Sequence, residues 1–446
     1  MLANLLLNLK FMQDIKSNSV RKLSTQDYKI LGLSALGGAL EFYDFIIYVF
    51  FSKAIETLFF PSDIPQWLSQ VQTFGIFAAG YLARPFGGII MAHFGDRLGR
   101  KKMFAFSILL MSLPTLFIGL LPTYQNIGIF APLLLLFMRI CQGAAVGGEI
   151  PGAWVFVSEH VPEKRIGLAC GILTGGLVTG ILLGSIIATL INRNYSETQI
   201  LTIGWRLAFI IGGVFGLISM FLRRWLKETP IFSEMEKRKK LDKDIPVKIV
   251  VSKHKHSVII CMLLTWVLSA GIMVVILLAP SYLHNIYNYS ILKSQEANSV
   301  AILMNGIGCL FFGMLSDKIG FSKTLIIGCI LCILTTIFFY TSLETHPEIL
   351  FITYGLAGFG VGIVGSFAHY MVKSFPANIR YSGVSFSFNM AYAIAGGLTP
   401  LLLSLLTNLV SHKAPAYYVI LLFTMGLLLG FYLLRTKTRD ESFAKN

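Results

Sequence analysis

The stretch "ALEFYDFIIYVFF", residues 39–51, sets Glu41 and Asp44 inside an otherwise apolar and aromatic run. Glu41, Asp44 and Tyr48 stand at i, i+3 and i+7, so on a helix they share one face, with the two carboxylates one turn apart. An Asp at the centre of a membrane helix costs roughly 2.5–3.5 kcal/mol even on the lenient insertion scale. That face is therefore expected to line a cavity rather than lipid. Buried neighbouring carboxylates are groups that can exchange protons near neutral pH. One reading makes Asp44 the proton-coupling residue, with Glu41 as modulator or second site; the other makes either acid a structural partner of an arginine on a neighbouring helix.

Two arginines are available for that pairing. Arg84 in "YLARPFGG" precedes Pro85, whose restriction on its predecessor is expected to open the helix there and expose carbonyls. Arg139 lies in "FMRICQG". Each could bind a substrate carboxylate through its planar fork, or could neutralise Asp44 or Glu149. Glu149 sits among small residues in "AAVGGEIPGAWVF", where helices approach closely, and serves either as a buried charge partner or on the proton path. Tyr48, Asn389 and Tyr392 are further candidate substrate contacts, and Trp266 could form a cation–π wall for a quaternary ammonium. Tyr282 and Tyr370 are weaker candidates of the same kind. His369 reads more readily as a satisfied packing residue than as a functional one.

The elements that must hold these residues follow from hydropathy. Of 446 residues 55% are hydrophobic and 13% charged. Twelve apolar runs reach the length of about 20 residues needed to cross a bilayer: near 30–58, 69–94, 103–122, 129–157, 166–191, 204–226, 257–283, 298–315, 323–342, 349–372, 382–409 and 415–434. The expected fold class is an all-α integral membrane protein, because lipid offers backbone groups no partner outside the helix. The net charge of +15 does not point to nucleic acid, since 30 of the 37 Lys and Arg fall in loops on one side of such a twelve-span chain. By the positive-inside rule both termini are expected in the cytoplasm. The six cysteines lie in predicted spans without disulfide or zinc spacing, and no metal site is expected.

The chain also repeats. "GDRLGRKK" (95–102) after the second span is echoed by "SDKIGFSK" (316–323) after the eighth, and "EHVPEKRIG" (159–167) by "KSFPANIRYSG" (373–383). A duplicated six-helix unit follows, with a site expected at the midplane between halves related by a pseudo-two-fold axis. The expected layout is a cytoplasmic N-terminal segment (1–29), an N-terminal bundle (30–226), a cytoplasmic linker (227–256), a C-terminal bundle (257–434) and a cytoplasmic tail (435–446). In the repeated loops Asp96 can approach a helix N-terminus or an arginine. With Arg97, Gly99, Arg100, Lys101, Asp317 and Lys318 it would form a latch between conformations; a purely topogenic positive loop is the plainer alternative. Gly176, Gly180 and Gly184 form a small-residue packing face, and Gly358, Gly360, Gly362 and Gly365 are expected to soften the tenth span.

"GDRLGRKK" resembles the signature loop of the major facilitator superfamily. "EFYDF", "LARPFGG", "MRICQGAAVGGE", "GWR", "LKETPIF", "APSYL", "FPANIRYS" and "FNMAYAIAGGLTP" occur in the order found in its metabolite:proton symporter branch, the proline/betaine and 2-oxoglutarate type. Ala92 departs from the usual Gly, and the second loop copy lacks the paired basic residues. The sequence ends soon after "LLRTKTRDESFAKN", so osmotic activation through a heptad-bearing tail is not carried over. The resemblance implies the major facilitator fold and a monomeric secondary transporter in the bacterial inner membrane. It would import a small polar metabolite, a zwitterion or an organic acid, by alternating access, with a proton as coupling ion and no other cofactor. A uniporter, exchanger or exporter of the same fold is the alternative within transport; a receptor or scaffold without flux is the alternative outside it. No Walker A, HExxH or nucleophile-elbow sequence supports ATP-driven transport or an enzyme.

Overall fold

A computed structural model describes residues 21–223, 225, 227–237 and 246–443. The expected N-terminal segment, linker and tail therefore lie partly outside the described residues. Among the described residues there is no strand, and twelve helices are long and apolar enough to cross a membrane. They are α1 (Thr25–Phe50), α2 (Val71–Leu98), α3 (Arg100–Leu120), α4 (Phe130–His160), α5 (Glu163–Asn194), α6 (Glu197–Leu222), α7 (Lys255–Asn285), α8 (Ile291–Ile319), α9 (Phe321–Thr345), α10 (Pro347–Lys373), α11 (Arg380–Thr407) and α12 (Ala414–Thr436).

Their packing repeats with an offset of six helices. In the first half α1 packs on α5 and α6, α2 on α4, and α3 on α4 and α6; in the second α7 packs on α11 and α12, α8 on α10, and α9 on α10 and α12. The two halves meet mainly where α2 lies on α11 and α5 on α8, contacts that exchange under the same offset. This is the pseudo-two-fold arrangement that duplication implies, and both halves supply walls to whatever lies at the centre.

Local chemistry sets the helix ends. Ser24 caps α1 through a reciprocal capping box with Asp27. Gly99 and Gly320, with φ of 112° and 87°, make the tight corners into α3 and α9 in the two copies of the repeated loop. Two expectations need correction. The first span does not run to residue 58, because the helix breaks at Phe51 and a separate amphipathic helix, Ser52–Phe59, follows. Pro85 does not open α2, which is part of one continuous helix, Gln66–Leu98. Membrane helices can tolerate an interior proline when neighbours re-satisfy the freed groups, and α4 presses tightly on α2 here: a Cβ at Gly87 would overlap the Ala144 backbone, and one at Gly147 would overlap the Arg84 carbonyl. Gly176 and Gly180 likewise admit the backbone of Ala35 and Ala39 on α1, and the glycine run of α10 carries a 3₁₀ segment, Gly362–Ser366.

Candidate functional site

Arg139 on α4 is fully buried at 0% exposure, and its guanidinium carbon lies 4.6 Å from the Phe45 ring centroid, 4.5 Å from Tyr48 and 5.2 Å from Phe77. Its Nη1 donates to Gln142 Oε1 at 2.8 Å, while Nε and Nη2 have no hydrogen-bond partner. Arg84 on α2, 1% exposed, sits 4.3 Å from Tyr392, 5.3 Å from Phe388 and 5.6 Å from Tyr81. Its Nε donates to Asn389 Oδ1 across the two halves at 3.3 Å, and its Nη2 has no partner. Asn389 is anchored by its amide nitrogen, which donates to the Gly147 carbonyl at 2.6 Å; Gly88 leaves the room for this crossing.

The rings around the two arginines touch one another. Tyr48 stacks on Phe77, Phe77 meets Tyr81 edge-on at 5.1 Å, and Tyr81 stacks on Tyr392 at 5.8 Å, so one aromatic wall runs from Arg139 to Arg84 and crosses between the halves. Among the described residues neither guanidinium is paired with an acid, although both were candidates for such pairing. A buried cation without a counter-ion is costly, and aromatic faces offset part of that cost at about 2 kcal/mol when desolvated. The arrangement is a pair of guanidiniums, each seated on aromatic faces.

The acids lie deeper in the first bundle. Asp44 is 0% exposed; its carboxylate lies beside the Thr115 side chain, and among the described residues no hydrogen bond of good geometry reaches its oxygens. It faces Gly212 of α6 and Thr115 of α3, not the space between the halves. The expectation that the Glu41–Asp44 face lines an open cavity is therefore corrected for the fully buried Asp44; Glu41 lines a pocket of about 10 Å³ shared with Glu149, room for roughly one water. Ser219 of α6 donates to Glu41 at 2.9 Å, and Ser107 of α3 donates to Glu149. Tyr48 donates to the Thr73 carbonyl at 3.0 Å, so its hydroxyl is already committed.

A third cluster closes the face on which the repeated loops lie. Asp96 accepts from the Ser382 N–H at the start of α11 at 2.9 Å and pairs with Arg100 at 3.2 Å. Asp317 accepts from the Gly167 and Leu168 N–H groups near the start of α5 at 2.7 and 2.8 Å, so each loop acid caps a helix of the other half. Arg100 also donates to the Ala377 carbonyl at 2.8 Å. Glu159 joins Arg100 at 3.4 Å, Arg380 at 3.1 Å and Thr229 at 2.7 Å. Glu228 accepts from the N–H groups of Arg100 and Lys101, next to Gly99, whose Cβ position it fills. Lys318 is exposed.

Nothing in "EHVPEKRIG", "KSFPANIRYSG" or "LKETPIF" marks Glu159, Arg380 or Glu228, because acids and bases in loops are common. Removing one member of a buried charge cluster costs about 3–5 kcal/mol. Glu159→Gln is therefore expected to lower the melting temperature of the purified protein clearly, as read by thermal shift. Glu228→Gln should cost less, since an amide oxygen still accepts from the α3 N-terminus. Trp266 is not part of the central wall: its indole donates to Tyr418 at 3.1 Å within the second half. His369 is hydrogen-bonded to Ser316 at 2.6 Å.

Comparison with known proteins agrees with this architecture. The family model described as Major Facilitator Superfamily matches residues 35–400. The chain is 32% identical over 428 residues to the glycine betaine/proline/ectoine/pipecolic acid transporter OusA of Dickeya dadantii, covering 92% of this chain and 84% of that one. It is 32% identical over 427 residues, with the same coverage, to the proline/betaine transporter of Escherichia coli K12. Among solved structures, the proton:xylose symporter XylE bound to 6-bromo-6-deoxy-D-glucose matches with a TM-score of 0.76 at 17% identity, covering 92% of this chain and 95% of that one. The inward-open form of XylE from E. coli matches with a TM-score of 0.65 at 19% identity, covering 92% and 96%. The twelve-span, two-half chain with its paired loop acids belongs to the Major Facilitator Superfamily of membrane transporters.

Proposed function

We propose that this protein imports a small zwitterion carrying a carboxylate and a substituted ammonium, of the proline or betaine type, by proton symport and alternating access. The observation that carries the reading is the pair of buried, acid-free arginines joined by one aromatic wall between the halves. Free guanidinium N–H groups suit a carboxylate in a bidentate fork, and ring faces suit a desolvated ammonium. The names of the relatives, proline/betaine transporters, support the same substrate class. Asp44 is the proposed proton carrier, with Glu41 and Glu149 as a second acidic pair around a water-sized cavity.

The loop face is proposed to be cytoplasmic, because 30 of 37 Lys and Arg lie on that side. Both termini then face the cytoplasm of a bacterial inner membrane, and the closed Asp96–Arg100–Glu159–Asp317 cluster belongs to the state shut toward the cytoplasm. Gly99 and Lys101 complete that latch at the corner held by Glu228, Arg97 stands on the same loop, and the exposed Lys318 adds positive charge to the same face. Both walls of the site come from one chain, which supports a monomer as the working unit.

The test is uptake of labelled glycine betaine and proline into proteoliposomes under an imposed inward proton gradient, with 2-oxoglutarate and citrate as competitors. Uphill uptake of the zwitterions supports the reading; preferential competition by the diacids overturns the substrate class, and uptake indifferent to the gradient points to a uniporter or exchanger. Tyr392→Leu removes the ring nearest Arg84 and is expected to weaken betaine binding about tenfold or more, from the roughly 2 kcal/mol of a desolvated cation–π contact.

A further inference from the structure

We infer that Thr115 and Gln142 are positioning residues that transmit the protonation state of Asp44 to the substrate-binding guanidinium of Arg139. The inference rests on the functional reading above and concerns how its two sites are coupled. Four side chains with 0% exposure, Asp44, Thr115, Gln142 and Arg139, lie in sequence across α1, α3 and α4. Arg139 Nη1 donates to Gln142 Oε1 at 2.8 Å, and Gln142 Nε2 donates to Thr115 Oγ1 at 2.7 Å. Thr115 donates in turn to the Met111 carbonyl at 2.9 Å, and its side chain and the Asp44 carboxylate pack together on Gly212.

The direction of this chain is set by chemistry. A guanidinium has only donors, so the amide oxygen of Gln142 must face it and the amide nitrogen must face Thr115. Thr115 has a single proton to give. With Asp44 protonated, the carboxyl can donate to Thr115, whose own proton stays on the Met111 carbonyl. With Asp44 ionised, the carboxylate can only accept, and it draws the Thr115 proton away from Met111.

The string then runs from a cation through two neutral groups to an anion. Charge-assisted hydrogen bonds are the stronger kind, and linked ones polarise each other. Arg139 is held toward α3 in that state. Protonation of Asp44 ends the string on a neutral carbonyl and loosens Arg139, so that its Nε and Nη2 can turn to a carboxylate. Proton binding therefore raises substrate affinity, and substrate binding raises proton affinity by the same factor. The other titratable groups at this part of α1 are Tyr43, Glu41 and Tyr48 on α1 itself and Arg139 and Glu149 from α4. Beside them lie Thr115 of α3, Gly212 and Ser219 of α6, and Gly180 and Gly184 of α5.

The experiment measures glycine betaine affinity of the purified full-length protein between pH 5 and pH 8, alongside betaine counterflow in proteoliposomes. Wild type is expected to bind more weakly as pH rises. Thr115→Val, which keeps shape but removes the hydroxyl, and Gln142→Leu are each expected to flatten that dependence while counterflow persists. Thr115→Ser is expected to retain the wild-type slope, which separates the hydroxyl from a packing effect. Wild-type slopes in both Thr115→Val and Gln142→Leu overturn the relay, as does a flat profile in Thr115→Ser. A wild type that neither binds nor exchanges betaine or proline overturns the functional reading itself, a result distinct from failure of the relay alone.

Discussion

Asp44→Asn is expected to collapse uphill substrate accumulation to a ratio near one while leaving counterflow intact. One pH unit of inward gradient is worth about 1.4 kcal/mol per proton, or about tenfold accumulation for a one-to-one symporter. Asparagine fills nearly the same space beside Gly212 and Thr115 but cannot bind or release the coupling proton. Its amide can donate to Thr115 as the protonated acid would, so binding and exchange should survive at every pH. Two measurements on one preparation decide the matter: gradient-driven accumulation and zero-gradient exchange of labelled betaine. Tenfold accumulation retained by Asp44→Asn would move the proton to the Glu41–Glu149 pair, which shares the one-water cavity between α1 and α4.

The sequence was most legible where polarity is rare. An acid in an apolar run stands out, so Asp44, Glu41 and Glu149 could be picked out, and the duplicated loops pointed to Asp96 and Asp317. Helical spacing says which residues share a face, but not which neighbour that face meets. Asp44 and Arg139 were natural partners on paper. In the fold Asp44 turns toward α3 and α6, while Arg139 turns onto rings of α1 and α2, with Gln142 and Thr115 between.

Those two polar residues carried no signal because serines, threonines and amides recur throughout membrane helices, bonded to their own backbone. The aromatic wall was hidden for the opposite reason: among 35 Phe and 17 Tyr nothing marks Phe45, Phe77, Tyr81 or Phe388. Trp266, singled out for its chemistry, faces Tyr418 instead. Pro85 misled because its local effect on an isolated helix was outweighed by the close fit of α2 against the glycines of α4.

Arg139→Lys is expected to cost about 10- to 100-fold in substrate affinity while preserving the charge. Hydrogen bonds to a charged group contribute about 1.5–3 kcal/mol, and lysine cannot present two parallel donors to a carboxylate. Three further losses act in the same direction. The guanidinium plane that lies over Phe45, Tyr48 and Phe77 disappears. A compact ammonium is more strongly hydrated than a guanidinium, so it suffers more from full burial. The planar fork that reaches Gln142 on one side and offers Nε and Nη2 on the other also has no equivalent, so the link toward Asp44 is weakened with it. The measurement is betaine and proline affinity by calorimetry, at a pH low enough that Asp44 is protonated in both proteins, so that loss of the fork is read separately from loss of coupling. Wild-type affinity in Arg139→Lys would place the carboxylate on Arg84, whose own free Nη2 and seat between Tyr81, Phe388 and Tyr392 make it the alternative anchor.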